Sequence, residues 1–402
     1  MSTPRQSEER GGEAAVAIAE RRRGLAAAIA SVAVFGIGIG LAAPLLSLLL
    51  ERSGTEAALT GLNASAIFLG VVLGPMLAPL LVRRLGIRGF LLLFLALDIV
   101  FFLALKVFES FAAWFVLRVL LGTVGSGIFT ATEAWINLLA RDDERGRVIG
   151  IYAAFLSAGF GVGPLMLAAT GTTGWAPFLA ASAISAVAAL PLLMAGGSAR
   201  GFGREPARNP LAMFARAPFI VAAVAMFGFY ESALISLLPV WGVRMGFDER
   251  LAAACLTAVY FGAIALQVPI GWLSDRLTRR AAMLLCALVG FLGAALVMAI
   301  GADAVPLFIV LFLWGGFATG IYPVALSMAG ERFRGADLVT INAAIIIAYG
   351  LGSLMGPPLG GVAMDLWNPH GLLAMLTALF AALTALSLAE RGARDREDRS
   401  RV

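Results

Sequence analysis

Gly271-Trp272-Leu273-Ser274-Asp275-Arg276-Leu277-Thr278-Arg279-Arg280 packs four charges into a short break between two apolar runs, 250–273 and 281–301. Each run is about as long as the ~20 residues a helix needs to cross a hydrocarbon core of ~30 Å. Breaks of this kind recur along the chain. Charged or Gly/Pro clusters divide it into apolar runs at 25–50, 60–82, 90–108, 111–139, 148–170, 175–196, 218–240, 250–273, 281–301, 304–329, 338–363 and 370–389. Composition agrees with twelve spans. Of 402 residues 60% are hydrophobic, about 241, against the ~240 that twelve spans require. Charged residues make up 14%, where soluble domains carry ~25%. A water-soluble enzyme, a disordered chain and a fibrous protein are excluded on these grounds. An all-α integral membrane protein of twelve transmembrane helices remains.

The arginines set its orientation. Twenty-five lie in the two tails and in the loops 2–3, 4–5, 6–7, 8–9 and 10–11, while Arg52, Arg244 and Arg250 alone lie in the opposite loops. By the positive-inside rule the rich side is cytoplasmic, with both termini inside. The net charge of +5 therefore reports topology, and no nucleic-acid partner is implied. Cys255 and Cys286 lie in apolar runs without partners at metal-ligand spacing, and His370 is the single histidine. No metal site, cofactor loop or catalytic triad is present, so no enzyme activity is expected.

The decapeptide has a counterpart 192 residues earlier, Pro79-Leu-Leu-Val-Arg83-Arg84-Leu-Gly86-Ile-Arg88. Gly159-Phe-Gly161-Val-Gly163-Pro164 in span 5 matches the glycine-proline run Gly350 to Gly361 in span 11. Aligning Pro164 with Pro357 gives an offset of 193, and Pro44 with Pro239 gives 195. Near-constant offsets argue for a duplication with parallel halves. The expected organisation is an N-terminal tail (1–24), a six-helix half (25–196), a linker (197–217), a second six-helix half (218–389) and a C-terminal tail (390–402).

At these residues the chain resembles the major facilitator superfamily of secondary transporters. The decapeptide 271–280 is similar to that family's Gly-x-x-x-Asp-Arg-x-x-Arg-Arg loop; the first-half copy departs from it, with Pro79 for the glycine and Arg83 for the aspartate. Arg118-x-x-x-Gly122-x-x-Gly125 resembles the fourth-helix motif. Gly159 to Pro164 resembles the fifth-helix motif associated with proton-driven exporters, and Glu133-Ala-Trp135-Ile-Asn137 with Arg145-Gly146-Arg147 resembles a bacterial branch of the family. The resemblance implies the two-half fold of that superfamily, in a bacterial inner membrane, and transport by alternating access. It also implies that Asp275, Arg276, Arg279 and Arg280 form a gating loop on the cytoplasmic side.

Charges inside the membrane are costly and mark function. Asp98 lies near the middle of span 3, Arg118 in span 4 and Glu231 near the middle of span 7. Counting rises of 1.5 Å places Asp98 and Arg118 ~8 Å apart in depth, at the limit of an arginine's reach. They read either as a structural pair or as a substrate or proton site. Glu231 has no base at its depth in its own span and is the first candidate for proton coupling. Glu133 falls at the inner interface, where loop arginines would pair with it. Asn63, Tyr230, Tyr260, Gln267, Tyr322, Asn342 and Tyr349 are candidate cavity-lining residues. Tyr260 with Gln267, and Asn342 with Tyr349, are seven apart and share helix faces. The expected function is proton-coupled export of a small organic molecule by a monomer in contact with membrane lipid. A nutrient uniporter or importer, and a transport-inactive sensor or scaffold, are the alternatives.

Overall fold

A computed structural model describes the backbone of residues 4–141, 144–194 and 211–400, and their side chains apart from 4–18, 145, 146, 275, 336, 339 and 391–400. Among the described residues the protein is all helix. The elements are α1 (Pro4–Arg52), α2 (Ala57–Val107), α3 (Phe111–Leu139), α4 (Arg145–Thr170), α5 (Ala176–Met194), α6 (Ala212–Arg216), α7 (Pro218–Arg244), α8 (Glu249–Arg276), α9 (Arg279–Ile300), α10 (Ala304–Thr319), α11 (Ile321–Arg332), α12 (Gly335–Leu366) and α13 (Gly371–Ser400).

Eleven helices of the described chain are long and apolar enough to cross a membrane. One of them, α2, holds two of the expected spans. Its 51 residues would extend about 76 Å at 1.5 Å per residue, more than twice a hydrocarbon core. It breaks at Gly86, whose φ of 70° and ψ of 164° no helix contains. Without a Cβ, glycine takes this backbone at little cost. The expected loop between spans 2 and 3 thus shrinks to a kink around Gly86. The expected span 304–329 is divided at Gly320 into α10 and α11. The helices α1 and α13 also outrun their apolar segments, reaching into the charged tails, because Ala, Glu and Arg are good helix formers beyond the membrane.

Local chemistry sets several ends. Ser110, Asp248 and Thr278 cap α3, α8 and α9 by accepting from the amides of Ala113, Leu251 and Ala281. Pro218 stands at the first position of α7, where a missing N–H costs nothing.

The chain gathers into two compact units. The first comprises 1–39, 69–159 and 178–203. Its core joins Phe90, Phe94, Ile128, Trp135, Tyr152 and Leu192, all buried. The rings of Phe90 and Phe94 lie 4.0 Å apart. The helices α2 and α3 approach backbone to backbone here, since a Cβ on Gly70 would collide with the carbonyl of Val119.

The second unit comprises 40–68, 160–177 and 204–402. Glycines again set its spacings. Gly228 of α7 meets the backbone of Tyr349, and Gly352 and Gly356 of α12 meet that of Ala225 and Phe229. Gly262 of α8 meets Phe312 of α10. Lipid tails are as apolar as side chains, so close backbone approach and dispersion hold such helices where the hydrophobic effect cannot. The glycine run of α12 therefore serves mainly its own half, although Gly361 also packs on the carbonyl of Ala57 at the start of α2. In α4, Gly163 meets Gly40 of α1, while Gly161 faces Tyr260 of α8.

Candidate functional site

Glu231 lies on α7, midway along a helix most of whose side chains are buried. Its carboxylate accepts a hydrogen bond from the Tyr349 hydroxyl of α12 at 2.7 Å. Among the described residues it has no ion-pair partner. Its surroundings are aromatic. Phe227, one turn before it, has its ring 5.7 Å from that of Tyr322 and 6.2 Å from that of Tyr349, and the two tyrosine rings stand 6.1 Å apart. Tyr260 of α8 is buried and stacks on Phe160 at 5.8 Å, within electrostatic reach of Glu231. An acid hydrogen-bonded by one neutral phenol, with no cation beside it, can be held neutral or charged as its access to water changes.

The structure thus brings together Glu231, Tyr322 and Tyr349, with Tyr260 nearby. Other candidates lie apart from that group. Tyr230 turns its ring between Trp314 and Phe380, at 5.5 and 5.1 Å, and its hydroxyl is buried without a hydrogen-bond partner among the described residues. Asn63 is fully buried in α2. Gln267 and Asn342 are exposed on α8 and α12.

Asp98 and Arg118 are both buried, at 5% and 1% exposure. Among the described residues no ion pair joins Asp98 to Arg118. Asp98 instead accepts a hydrogen bond from Ser185 of α5 at 2.6 Å. Glu133 is exposed and makes no ion pair among the described residues. Glu144, eleven residues on, takes the role expected of it and pairs with Arg21 before the first span.

The side chain of Asp275 lies outside the described residues. The neighbouring arginines are held within the second half. Arg276 stacks on Trp272 with its guanidinium carbon 3.8 Å from the ring centre. Arg279 donates to Ser274 and to Glu331 of α11, each at 3.0 Å. Arg280 pairs with Glu390 of α13 at 3.2 Å.

A family model for the Major Facilitator Superfamily matches residues 28–257 and 220–401. The chain belongs to the Major Facilitator Superfamily. Its match to the uncharacterized MFS-type transporter YfkF of Bacillus subtilis (strain 168) is 28% identical over 362 residues, covering 88% of this chain and 91% of that one. An uncharacterized MFS-type transporter of Enterobacter sp. (strain 638), Ent638_1421, is 25% identical over 323 residues, covering 79% and 83%. Among solved structures, a bacterial homolog of the human lysosomal transporter Spinster, inward-facing and unoccupied, superposes with a TM-score of 0.75 at 15% identity, over 92% of this chain and 96% of that one. A D-xylose–proton symporter gives 0.72 at 14%, over 90% and 96%. These likenesses give the fold of a multi-pass membrane transporter.

One cluster in this superfamily member is not visible as a site in the sequence. At the arginine-poor end of unit 2, Arg244 of α7 forms a fork with Glu51 of α1, Nε to Oε1 at 2.8 Å and Nη2 to Oε2 at 2.9 Å. It also reaches Asp365 at 3.6 Å and the Asn368 side chain at 3.3 Å. Beside it, Arg52 and Thr172 both bond Glu249 at the start of α8. Asp365, at the end of α12, accepts from the amides of Ala57 and Ala58 at 3.1 and 2.8 Å and so caps α2. First-half helices are thereby tied to second-half helices by three charged contacts. In the sequence, Arg52 and Arg244 stand out only as topology markers.

Proposed function

We propose that this transporter is a proton-coupled exporter of a small organic molecule, of the drug/proton-antiporter kind, working by alternating access between two six-helix halves joined by the linker 197–217. Residues near Glu231 receive substrate, and Glu231 is the coupling acid. The observation that carries the reading is the Glu231 carboxylate itself, embedded in α7, held by the Tyr349 hydroxyl and lacking a cation among the described residues. A membrane-embedded acid with a cation beside it would stay charged. One facing only phenol can bind a proton from one side and release it to the other. The contacts Glu51–Arg244, Arg52–Glu249 and Asp365–α2 would close the arginine-poor end while the opposite end opens, then part in the other state. The arginine distribution supports a bacterial cytoplasmic membrane with both termini inside.

The test is transport in proteoliposomes under an imposed pH gradient. A substrate is found first by thermal-shift screening of the purified protein at two pH values. Glu231→Gln stays permanently neutral at this position. Gradient-driven flux should disappear, while binding or gradient-free exchange persists. Flux equal to wild type between pH 6 and 8 would remove Glu231 from the coupling role, and Asp98 would take its place. The direction of flux against the imposed gradient separates export from nutrient import.

A further inference from the structure

Membrane topology explains why arginines gather at one face of the protein. It does not explain why three of them converge on one cavity. A cavity of about 690 Å³ in unit 2 is lined by Ala215, Arg216, Arg332, Phe333, Arg334 and Asp337. Arg216 ends the short helix α6, just before α7. Arg332 ends α11, and Arg334 precedes α12.

The guanidinium carbons of Arg216 and Arg332 lie over one ring, that of Phe333, at 5.7 and 5.5 Å from its centre. Phe333 is itself buried, at 6% exposure. One buried ring therefore contacts two like charges. One carboxylate, Asp337, lines the same cavity and takes Arg216 at 3.0 Å. Arg334 spends a donor on the carbonyl of Gly330 at 2.6 Å. Among the described residues neither Arg332 nor Arg334 has a carboxylate partner. Three guanidinium groups against one carboxylate leave the lining at +2. The 32-residue helix α12 adds to this, since it starts here with no side-chain cap on its first amides.

Like charges held together around a cavity repel unless an anion enters. Guanidinium forks match the oxygens of a phosphate better than a lone carboxylate does. The volume falls within the ~300–1,000 Å³ typical of small-molecule sites. We propose that this cavity is a phosphate-binding site, taking the phosphate of an anionic lipid headgroup or free phosphate between Arg216, Arg332 and Arg334. A ligand there would bridge the starts of α7 and α12, the helices that carry Glu231 and Tyr349. The proposal does not depend on the transport direction, the substrate or the coupling role of Glu231.

The experiment titrates the purified full-length protein in detergent with short-chain phosphatidylglycerol, with phosphatidylcholine of equal chain length, and with inorganic phosphate. Binding is read by thermal midpoint and by native mass spectrometry. Phosphatidylglycerol should bind and raise the midpoint, and phosphatidylcholine should not. A juxtamembrane arginine contributes about fivefold to anionic-lipid affinity, so Arg332→Gln/Arg334→Gln should weaken binding about 30-fold. Ala215→Glu, which adds an acid to the lining and removes no arginine, should weaken it similarly and covers the case in which the double variant fails to fold. Arg147→Gln, at the start of α4, should leave binding unchanged. Displacement of the lipid by millimolar inorganic phosphate, with the same arginine dependence, would identify free phosphate as the occupant and sustain the site. Binding that survives both lining variants, binding that Arg147→Gln weakens equally, or no binding of either phosphate source would overturn it.

Discussion

Glu51 and Arg244 stand 193 residues apart and bond each other through a two-pronged contact at 2.8 and 2.9 Å. Glu51 lies near the end of α1 and Arg244 ends α7, so the contact ties a helix early in the chain to one from its second half. Like charges at these two positions would repel, whereas an acid on one helix and a base on the other make a tie. Both side chains are mostly shielded, at 18% and 15% exposure, which sets this pair apart from an ordinary surface ion pair.

A double-mutant cycle measures that tie. Glu51→Gln, Arg244→Gln and the double variant, unfolded in mixed micelles, should give a coupling energy of about 1–2 kcal/mol, as for a partly shielded charged hydrogen bond. Arg244→Gln alone should cost more than Glu51→Gln, because Asp365 at 3.6 Å also loses its counter-charge. A coupling indistinguishable from zero would reduce the pair to a bystander of packing.

Removing one hydroxyl probes the site at Glu231. Tyr349→Phe deletes the only hydrogen bond that Glu231 accepts among the described residues. A neutral-to-charged switch stabilised by that bond should then titrate differently. The flux of Tyr349→Phe should therefore keep its maximum rate within about tenfold while its pH profile moves. Tyr322→Phe, whose ring packs 6.1 Å from that of Tyr349, should move the profile less. If both variants move the profile equally, the Tyr349 hydroxyl has no special part in it.

Acid should loosen one tie of the first unit. Arg21 donates a hydrogen bond to Glu144 and, with its charge, holds the Glu144 carboxyl below its ordinary range. A carboxyl lowered on folding contributes stability above its unfolded value near pH 4.5, and that contribution is lost as pH falls through the folded value. The midpoint advantage of wild type over Glu144→Gln should be full at pH 7 and should shrink as pH falls below the ordinary carboxyl range, until it is gone below the lowered folded value. An advantage that is flat from pH 7 to 3 would mean the bond contributes nothing through its charge.

Much of this architecture is legible because hydropathy and arginine placement act locally. The spans depend on neighbours within a few residues, and so do the caps at Ser110, Asp248 and Thr278, which the structure adds. Glu231 stands out in the sequence as an acid in an apolar run. Its aromatic surroundings are only half legible: Tyr322 and Tyr349 join it, while Tyr230 faces Trp314 and Phe380. The partner of Asp98 is hidden because Ser185 is neutral and 87 residues away, and nothing in an apolar helix marks one serine above another. The charged ties of Arg52 and Arg244 are hidden for the opposite reason. Topology alone accounts for those arginines, and only the fold shows that Glu249 and Glu51 stand opposite them.

Glycine spacing gives a last prediction with opposite signs at two sites. Gly61 of α2 lies against the carbonyl of Pro357 in α12, so closely that a Cβ would overlap backbone atoms. Backbone cannot yield as a flexible side chain can, and Gly61→Ala must push the two helices apart. Overpacking of this kind costs about 1–3 kcal/mol. Gly150, within α4, has open space where its Cβ would stand. There Gly150→Ala removes conformational freedom from the unfolded chain and should stabilise by about 0.5–1 kcal/mol. Because Gly61 meets α12 beside the Asp365 cap of α2, Gly61→Ala should also weaken closure of the arginine-poor end. A thiol-reactive probe at Ala58→Cys, in a background with Cys255 and Cys286 replaced by Ala, should label faster in the Gly61→Ala protein than without it. Unchanged labelling together with an unchanged midpoint would show that α2 and α12 are not in contact at Gly61.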